Sequence, residues 1–248
     1  MGYIIRSREH FYVNGVKSTD VGLNVEFLQP VPMAAQRYTQ WTTGADMDSS
    51  TPDDSFENIP YNIEARVLRN PSGFDSSDIY ALFANAQMLS LSTVPGYYYK
   101  IRKVLGITPS AEPELRGNSI TYLISLELAP FKYMIDNSEV SADYAIENPG
   151  SRYSRPLYKV TNRSEGATNL SLIVNGQTYA LTGLTDSDAV IYIDAEKLLC
   201  YSKVTENSSS TVNLMSKSTG QIPFLTTGQN ACRVTDGTLT VTGNWRSY

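Results

Sequence analysis

Apolar side chains recur at every second position in several stretches of this chain, and that period admits little besides half-buried β-strands. In Tyr61-Asn-Ile-Glu-Ala-Arg-Val-Leu, the residues Tyr61, Ile63, Ala65 and Val67 share one face, and Asn62, Glu64 and Arg66 share the other. From Ser119 to Leu128 the same spacing sets Ile120, Tyr122, Ile124, Leu126 and Leu128 together. Near the end, Leu239, Val241 and Trp245 alternate with Thr238, Thr240, Thr242 and Asn244. Successive side chains of a pleated strand point to opposite faces, so each stretch buries one face and wets the other. Charged residues make up only 18% of the chain, while Ser, Thr and Tyr are plentiful, a mix that suits strands better than surface helices.

Turn chemistry supports this. Asn14-Gly15, Asn175-Gly176 and Asp236-Gly237 each sit between β-prone runs. A type I′ turn needs positive φ at both central residues, which Asn-Gly and Asp-Gly supply at least cost, so three hairpins are expected. One helix is expected over 76–88. Asp75-Ser-Ser-Asp offers an N-cap and acidic charge in the first turn, and Ile79, Leu82, Phe83 and Ala86 follow at helical spacing.

The 248 residues suffice for two ordinary domains. Strand patterning stops at Phe131-Lys-Tyr-Met, a polar stretch containing Asn148-Pro-Gly-Ser follows, and a new β pattern begins at Leu157-Tyr-Lys-Val. The expected fold is mainly β. An N-terminal, β-sandwich-like domain with one α-helix spans 1–136, a linker spans 137–155, and a C-terminal β-sandwich of about seven short strands spans 156–248.

Charge and hydropathy exclude several functions. The net charge is −5 and no Lys/Arg tract exists, which argues against nucleic-acid binding. No apolar run reaches membrane-spanning length. Met1-Gly-Tyr-Ile-Ile-Arg lacks the basic-then-apolar order of a secretory leader, and Gly2 lacks a hydroxyl residue at position 6, as myristoylation would need. Asn162-Arg-Ser and Asn169-Leu-Ser have the form of glycosylation acceptors, which carries meaning only in a secreted protein. Cys200 and Cys232 lie in separate apolar patterns and are expected to be buried free thiols.

Catalytic chemistry has little to stand on. His10 is the single histidine, so any Ser/His/Asp or Cys/His site must be built around it, and its setting beside Phe11 and Tyr12 reads as an ordinary strand position. No Gly-x-Ser-x-Gly, His-Glu-x-x-His, P-loop or Gly-x-Gly-x-x-Gly occurs. A distant carboxylate pair of the glycosidase kind stays open. Asp46, Asp48, Ser50, Asp54 and Glu57 fall at the ligand offsets of a calcium loop. Thr51 replaces the required glycine, Pro52 stiffens the segment and no helices flank it, so a solvated acidic hairpin loop without metal is expected. In Tyr97-Tyr98-Tyr99, Tyr97 and Tyr99 share a face with Ile101 and Leu105 and read as core, while Tyr98 points outward with Lys100 and Arg102. Trp41, Trp245 and Tyr248 carry the same ambiguity, with core or subunit contact favoured over ligand stacking. No catalytic, cofactor-binding or metal residue is assigned.

Several segments, taken in order, resemble siphophage distal tail proteins. The stretch Tyr12-Val-Asn-Gly-Val-Lys-Ser-Thr-Asp-Val-Gly-Leu is similar to that family's opening. The helix over 76–88, with Leu89-Ser-Leu-Ser-Thr-Val-Pro-Gly-Tyr-Tyr-Tyr-Lys after it, resembles the family's helix, short strand, turn and aromatic strand. Ile120 to Tyr133 resembles its closing strand. Asn148-Pro-Gly-Ser with Pro156, then Ile193-Asp194, Gly220-Gln-Ile-Pro-Phe-Leu, Gly228-Gln-Asn230 and a final strand ending Asn244-Trp-Arg resemble its second half. Residues 44–57 are more acidic than that pattern, and Arg246-Ser-Tyr runs past its usual end.

The resemblance implies a structural protein and no enzyme. Six copies would form a homohexameric ring with the N-terminal domains around a channel and galectin-like C-terminal sandwiches projecting outward. The ring would join the tail tube protein to the tail-associated tip or fibre protein and to baseplate or receptor-binding components. It would sit at the tail tip of the virion after assembly in the bacterial host cytoplasm, with no cofactor, no membrane insertion and no sequence-specific nucleic-acid contact. The competing reading is a carbohydrate-binding adhesion module, and a third is an enzyme on a β scaffold.

Overall fold

The computed structural model describes residues 9–43, 47–68, 77–109, 119–142 and 144–248. The fold is mainly β, as the alternation implies, with one α-helix among the described residues. The chain divides into two compact units, Met1–Ile135 with Tyr248, and Asp136–Ser247.

The first unit is built on one antiparallel sheet. Its strands run in the order Val16–Lys17, Phe11–Val13, Met88–Leu91, Tyr97–Pro109, Ser119–Met134, Ile59–Leu68 and Leu23–Asn24. The sheet curls far enough for the residues just before Phe11–Val13 and just after Leu23–Asn24 to meet, in an antiparallel bridge between Glu9 and Val25. The Glu9 carboxylate also accepts the Leu28 N–H. Alternation is obeyed along Ile59–Leu68, where Tyr61, Ile63, Ala65 and Val67 are buried and Asn62 and Glu64 are exposed. Across from it, Tyr122, Ile124, Leu126 and Leu128 are buried too. Each such aliphatic side chain, removed from water, contributes roughly 1.5–3 kcal/mol before entropy is counted. Tyr61 carries its hydroxyl into this core and donates it to the Gln29 carbonyl at 2.7 Å. Burial first, then Tyr99 and Glu9, push that phenol up to about 12.

The helix is Ser77–Ala84, shorter than the expected 76–88. It lays Ile79 and Phe83 against the core, with Phe83 at 6.2 Å from Phe11. Its early end has a long-range cause. The side chain of Asn14, in the first turn, donates to the Asn85 carbonyl and accepts the N–H groups of Gln87 and Met88. Those groups are thereby claimed where another helical turn would need them.

Asn14-Gly15 and Asn175-Gly176 have positive φ at both residues and join the paired strands that the sequence implies. Asp236-Gly237 corrects the third expected hairpin. Only Gly237 has positive φ there, and the turn carries the chain from Gly228–Val234 in one sheet to Thr238–Thr242 in another.

The second unit has two antiparallel sheets. One runs Glu139–Ser141, Thr238–Thr242, Leu157–Thr161, Val190–Asp194, Leu199–Lys203 and Val212–Asn213. The other runs Tyr144–Asn148, Gly228–Val234, Asn169–Val174, Gln177–Thr182 and Ser218–Thr219. Tyr158, Val160, Ile191, Ile193 and Val241 from the first and Leu170, Leu172, Val174, Tyr179 and Leu181 from the second are buried, which makes a sandwich. The strands exceed the expected seven. Residues 137–155, read from the sequence as a linker, hold two of them, Glu139–Ser141 and Tyr144–Asn148, each paired to a strand from near the end of the unit.

Candidate functional site

The residues that carry chemistry in the sequence are dispersed by the fold. His10 lies just ahead of Phe11–Val13, half-buried, with its backbone N–H on the Ser92 hydroxyl at 3.0 Å. Its ring stands edge-on to Tyr12 at 5.4 Å, and the Tyr12 hydroxyl lies 3.4 Å from Nε2. The two cysteines belong to the other unit.

The calcium-loop spacing does not converge. Asp46 lies outside the described residues. Asp48, Ser50 and Asp54 belong to the strand Met47–Phe56, which pairs with Gln36–Thr43 from Thr43↔Met47 to Gln36↔Phe56. A strand rises about 3.3 Å per residue, so Asp48 and Asp54 stand about 20 Å apart along the backbone. One cation cannot bridge that distance. The expected acidic loop over 44–57 is therefore mostly strand, half of a ribbon that has two strands among the described residues. Pro52, which has no N–H to give, sits where the register shifts, opposite Tyr38.

Among the tyrosines, Tyr99 is buried, with its phenol raised by that burial, and Tyr97 is half-buried under the Lys132 ammonium, 5.2 Å from its ring centre. Tyr98 stacks on Tyr133 at 5.6 Å, and Lys100 lies 4.1 Å from the Tyr133 ring centre. Leu105, expected in the core, is exposed. Register shifts between Tyr99/Ile101, Ile101/Lys103 and Val104/Gly106 break the alternation that would bury it. Trp245 is buried and lies over Gly243, where an added Cβ would come within 2.0 Å of the indole. Tyr248 packs edge-on against Phe56 and Phe131 within the first unit. The Trp41 side chain lies outside the described residues.

Cys200 and Cys232 are free and buried, on opposite sheets. Each faces a tyrosine of the other sheet. Tyr179 interacts with Cys200 and Tyr158 with Cys232. Burial pushes both thiols up to about 12, which leaves almost no nucleophilic thiolate near neutrality.

Sequence reasoning passed over one end of the second unit, where three loops are tied together. The Arg163 guanidinium, its side chain only 5% exposed, donates to the carbonyls of Asp188 at 2.9 Å, Thr185 at 3.4 Å and Ala167. Asp236 accepts the N–H of Ser164 at 3.2 Å and its hydroxyl at 2.7 Å. Asp186 accepts the Gly166 N–H at 2.9 Å. Asp188 accepts Thr185 N–H and the Ser202 hydroxyl, with Lys217 at 3.5 Å. Burial works against its charge, yet these donors hold the carboxyl below its ordinary range. A hollow of about 700 Å³ lies among these loops, lined by Asn162, Arg163, Ser164, Glu165, Asp186 and Glu206 among others. The visible signal was Asn162-Arg-Ser, which fits a glycosylation acceptor equally well.

No protein-family model matches this sequence, and no curated protein matches it. Solved structures do. The chain is similar to a crystal structure of the SPP1 Dit protein (gp 19.1), described as a paradigm of the hub adsorption apparatus in phages that infect Gram-positive bacteria. The TM-score is 0.66 at 14% identity, over 94% of this chain and 97% of that one. The fold is therefore that of a distal tail protein, in agreement with the resemblance drawn from the sequence.

Proposed function

We propose that this chain is a structural subunit of a phage tail, acting at the tail tip by assembling with copies of itself and with other tail components. The observation that carries the reading is the likeness to the SPP1 Dit hub protein over nearly the full length of both chains. A likeness restricted to one unit would speak only for a common sandwich.

In this reading six copies close into a ring, the first unit lines its channel, and the second, of galectin-like form, faces outward. The ring joins the tail tube to the tip, fibre or baseplate proteins within the virion and performs no catalysis. A closed ring needs two different complementary patches on each subunit. The ribbon Gln36–Thr43 with Met47–Phe56 supplies a natural one. An isolated two-stranded ribbon is marginally stable in water, so a neighbouring copy packed on it would complete it. Imaging the purified protein by negative stain tests the reading, with rings enclosing a pore expected. Monomers at every concentration examined would overturn it. Replacing residues 37–55 by a short Gly-rich turn is expected to abolish rings while leaving the fold intact by circular dichroism.

A further inference from the structure

We propose that the groove between the end of the helix and the strand Tyr97–Pro109 seats the ribbon of a neighbouring copy, with Tyr38 as the anchor and the carboxylates after Pro52 as its charges. This contact rests on the proposed ring and supplies the second patch that a closed ring of identical subunits needs.

The groove arises where the sheet of the first unit loses cover. Met88–Leu91 pairs with Tyr97–Pro109 only at Met88↔Lys100 and Leu89↔Tyr99. The Ile101 N–H still reaches the Gln87 carbonyl at 2.7 Å. Beyond that point the strand has Ser119–Met134 on one side alone among the described residues. Two register shifts follow, between Ile101 and Lys103 and between Val104 and Gly106. Such shifts re-aim side chains, and the run Arg102-Lys103-Val104-Leu105 is exposed throughout. They also spoil an edge for regular strand pairing, so a partner here is held by side chains and not by a continued ladder. The helix Ser77–Ala84 flanks the run and leaves a hollow of about 490 Å³, lined by Tyr80, Phe83, Arg102, Lys103, Val104 and Ile107 among others. Tyr80 and Val104 expose apolar surface, and Ile107 packs half-buried against the core. No Asp or Glu lines the hollow. The Lys103 ammonium stands 3.9 Å from Glu127 on a mostly exposed side chain, a pair worth little in water. An apolar floor with two cations beside it suits an aromatic ring that carries negative charge close by.

The ribbon has that composition. Gln36–Thr43 presents Tyr38, 58% exposed, opposite Pro52. Asp53 and Asp54 follow Pro52 directly, Met47–Phe56 contains no Lys or Arg, and the cation of the facing strand is Arg37. The register passes from Tyr38↔Pro52 to Gln36↔Phe56, so both aspartates lie in the irregular step next to Tyr38. Aromatic anchors seated in pockets carry much of an interface's energy, and complementary charge fixes register and excludes wrong partners. Groove and ribbon are different surfaces of one chain. Each copy therefore offers its ribbon to the next and receives that of the one before, which is the head-to-tail contact a ring closes with.

Charge reversal on the full chain tests this, read by light scattering and negative stain. Arg102→Glu with Lys103→Glu reverses the groove, and Asp53→Lys with Asp54→Lys reverses the ribbon. Circular dichroism checks that each variant keeps its fold. Either reversal alone sets like charges face to face, so the concentration at which rings form is expected to rise at least about a hundredfold. An equimolar mixture of the two is expected to recover rings. The acidic ribbon of the first variant fits the basic groove of the second, and the basic ribbon of the second fits the acidic groove of the first, so the two alternate round the ring. A variant that has merely misfolded cannot give that recovery. Where the parent forms rings, folded variants that form them as readily, or a mixture that stays without them, would overturn this contact and leave the proposed function standing. A parent without rings at any concentration would overturn the proposed function and this contact together.

Discussion

Asn230 is the buried amide on which the second unit depends most visibly, and Asn230→Asp isolates its contribution. The side chain is 1% exposed and fully bonded. Its Oδ1 accepts Thr226 N–H at 2.8 Å, the Thr226 hydroxyl at 2.9 Å and Asn175 Nδ2 at 2.8 Å. Its Nδ2 donates to the carbonyls of Thr226 at 2.9 Å and Gly228 at 2.8 Å. The substitution preserves shape but turns a double donor into an oxygen facing two carbonyl oxygens. Two buried acceptors lose their donor, each costing about 1–3 kcal/mol, so a loss of roughly 3 kcal/mol is expected near neutrality. For a unit of about a hundred residues this lowers Tm by about 12 °C or more. The deficit should depend on pH. Burial against two carbonyls raises the pKa of the introduced carboxyl above its unfolded value of about 3.9. Below that value the group is protonated in both states, and its O–H restores one bond. As pH rises through it the unfolded chain ionises first, and stability is lost. Calorimetric unfolding of variant and parent at about pH 4 and about pH 7 reads both effects. A deficit equal at the two pH values would refute the electrostatic account, and one below about 4 °C at neutral pH would refute the weight given to this amide.

Three further outcomes are expected. Gly243→Ala should destabilise the second unit by about 2 kcal/mol or more, since the new methyl carbon would lie 2.0 Å from the Trp245 ring; unchanged thermal unfolding would contradict that packing. In the native protein Cys200 and Cys232 should resist Ellman's reagent at neutral pH and react once unfolded, because burial pushes both thiols up to about 12; the Cys200→Ser, Cys232→Ser double variant should lose about 1–3 kcal/mol per site yet assemble normally by light scattering. A fragment of residues 136–247 should fold, whereas one starting at 156 lacks Glu139–Ser141 and Tyr144–Asn148, exposes two strand edges and should aggregate; equal solubility and dispersion of the two by NMR would count against the pairing.

What could be read from the sequence follows how local its cause is. The strand Ile59–Leu68 was legible residue by residue, because a period of two is a property of neighbours. So were the turns at Gly15 and Gly176. The end of the helix at Ala84 was not, because Asn14, about seventy residues earlier, takes the groups beyond it. Leu105 was misplaced because a bulge leaves no mark in composition. Met47–Phe56 looked like a loop because Asp48-Ser-Ser-Thr-Pro-Asp-Asp-Ser between its ends has no apolar period to show. The hollow beside Arg163 was invisible for a related reason. Its walls are polar residues from loops far apart in sequence, each ordinary where it stands.

The pairing of the second unit's first strands with its last also governs how the chain emerges from the ribosome. Glu139–Ser141 waits for Thr238–Thr242, and Tyr144–Asn148 for Gly228–Val234. At synthesis rates of about 5–20 residues per second, a gap of about a hundred residues is a delay of roughly 5–20 s. Throughout that interval Leu157–Thr161 and Asn169–Val174 each lack the strand that will cover one side, because Thr238–Thr242 and Gly228–Val234 have not been made. Many nascent copies translated from one message would thus hold open edges side by side. The polar side chains of Lys159, Asn169 and Ser171 on these strands then work as protection during synthesis, keeping neighbours on one polysome from pairing with each other before each chain supplies its own closing strands.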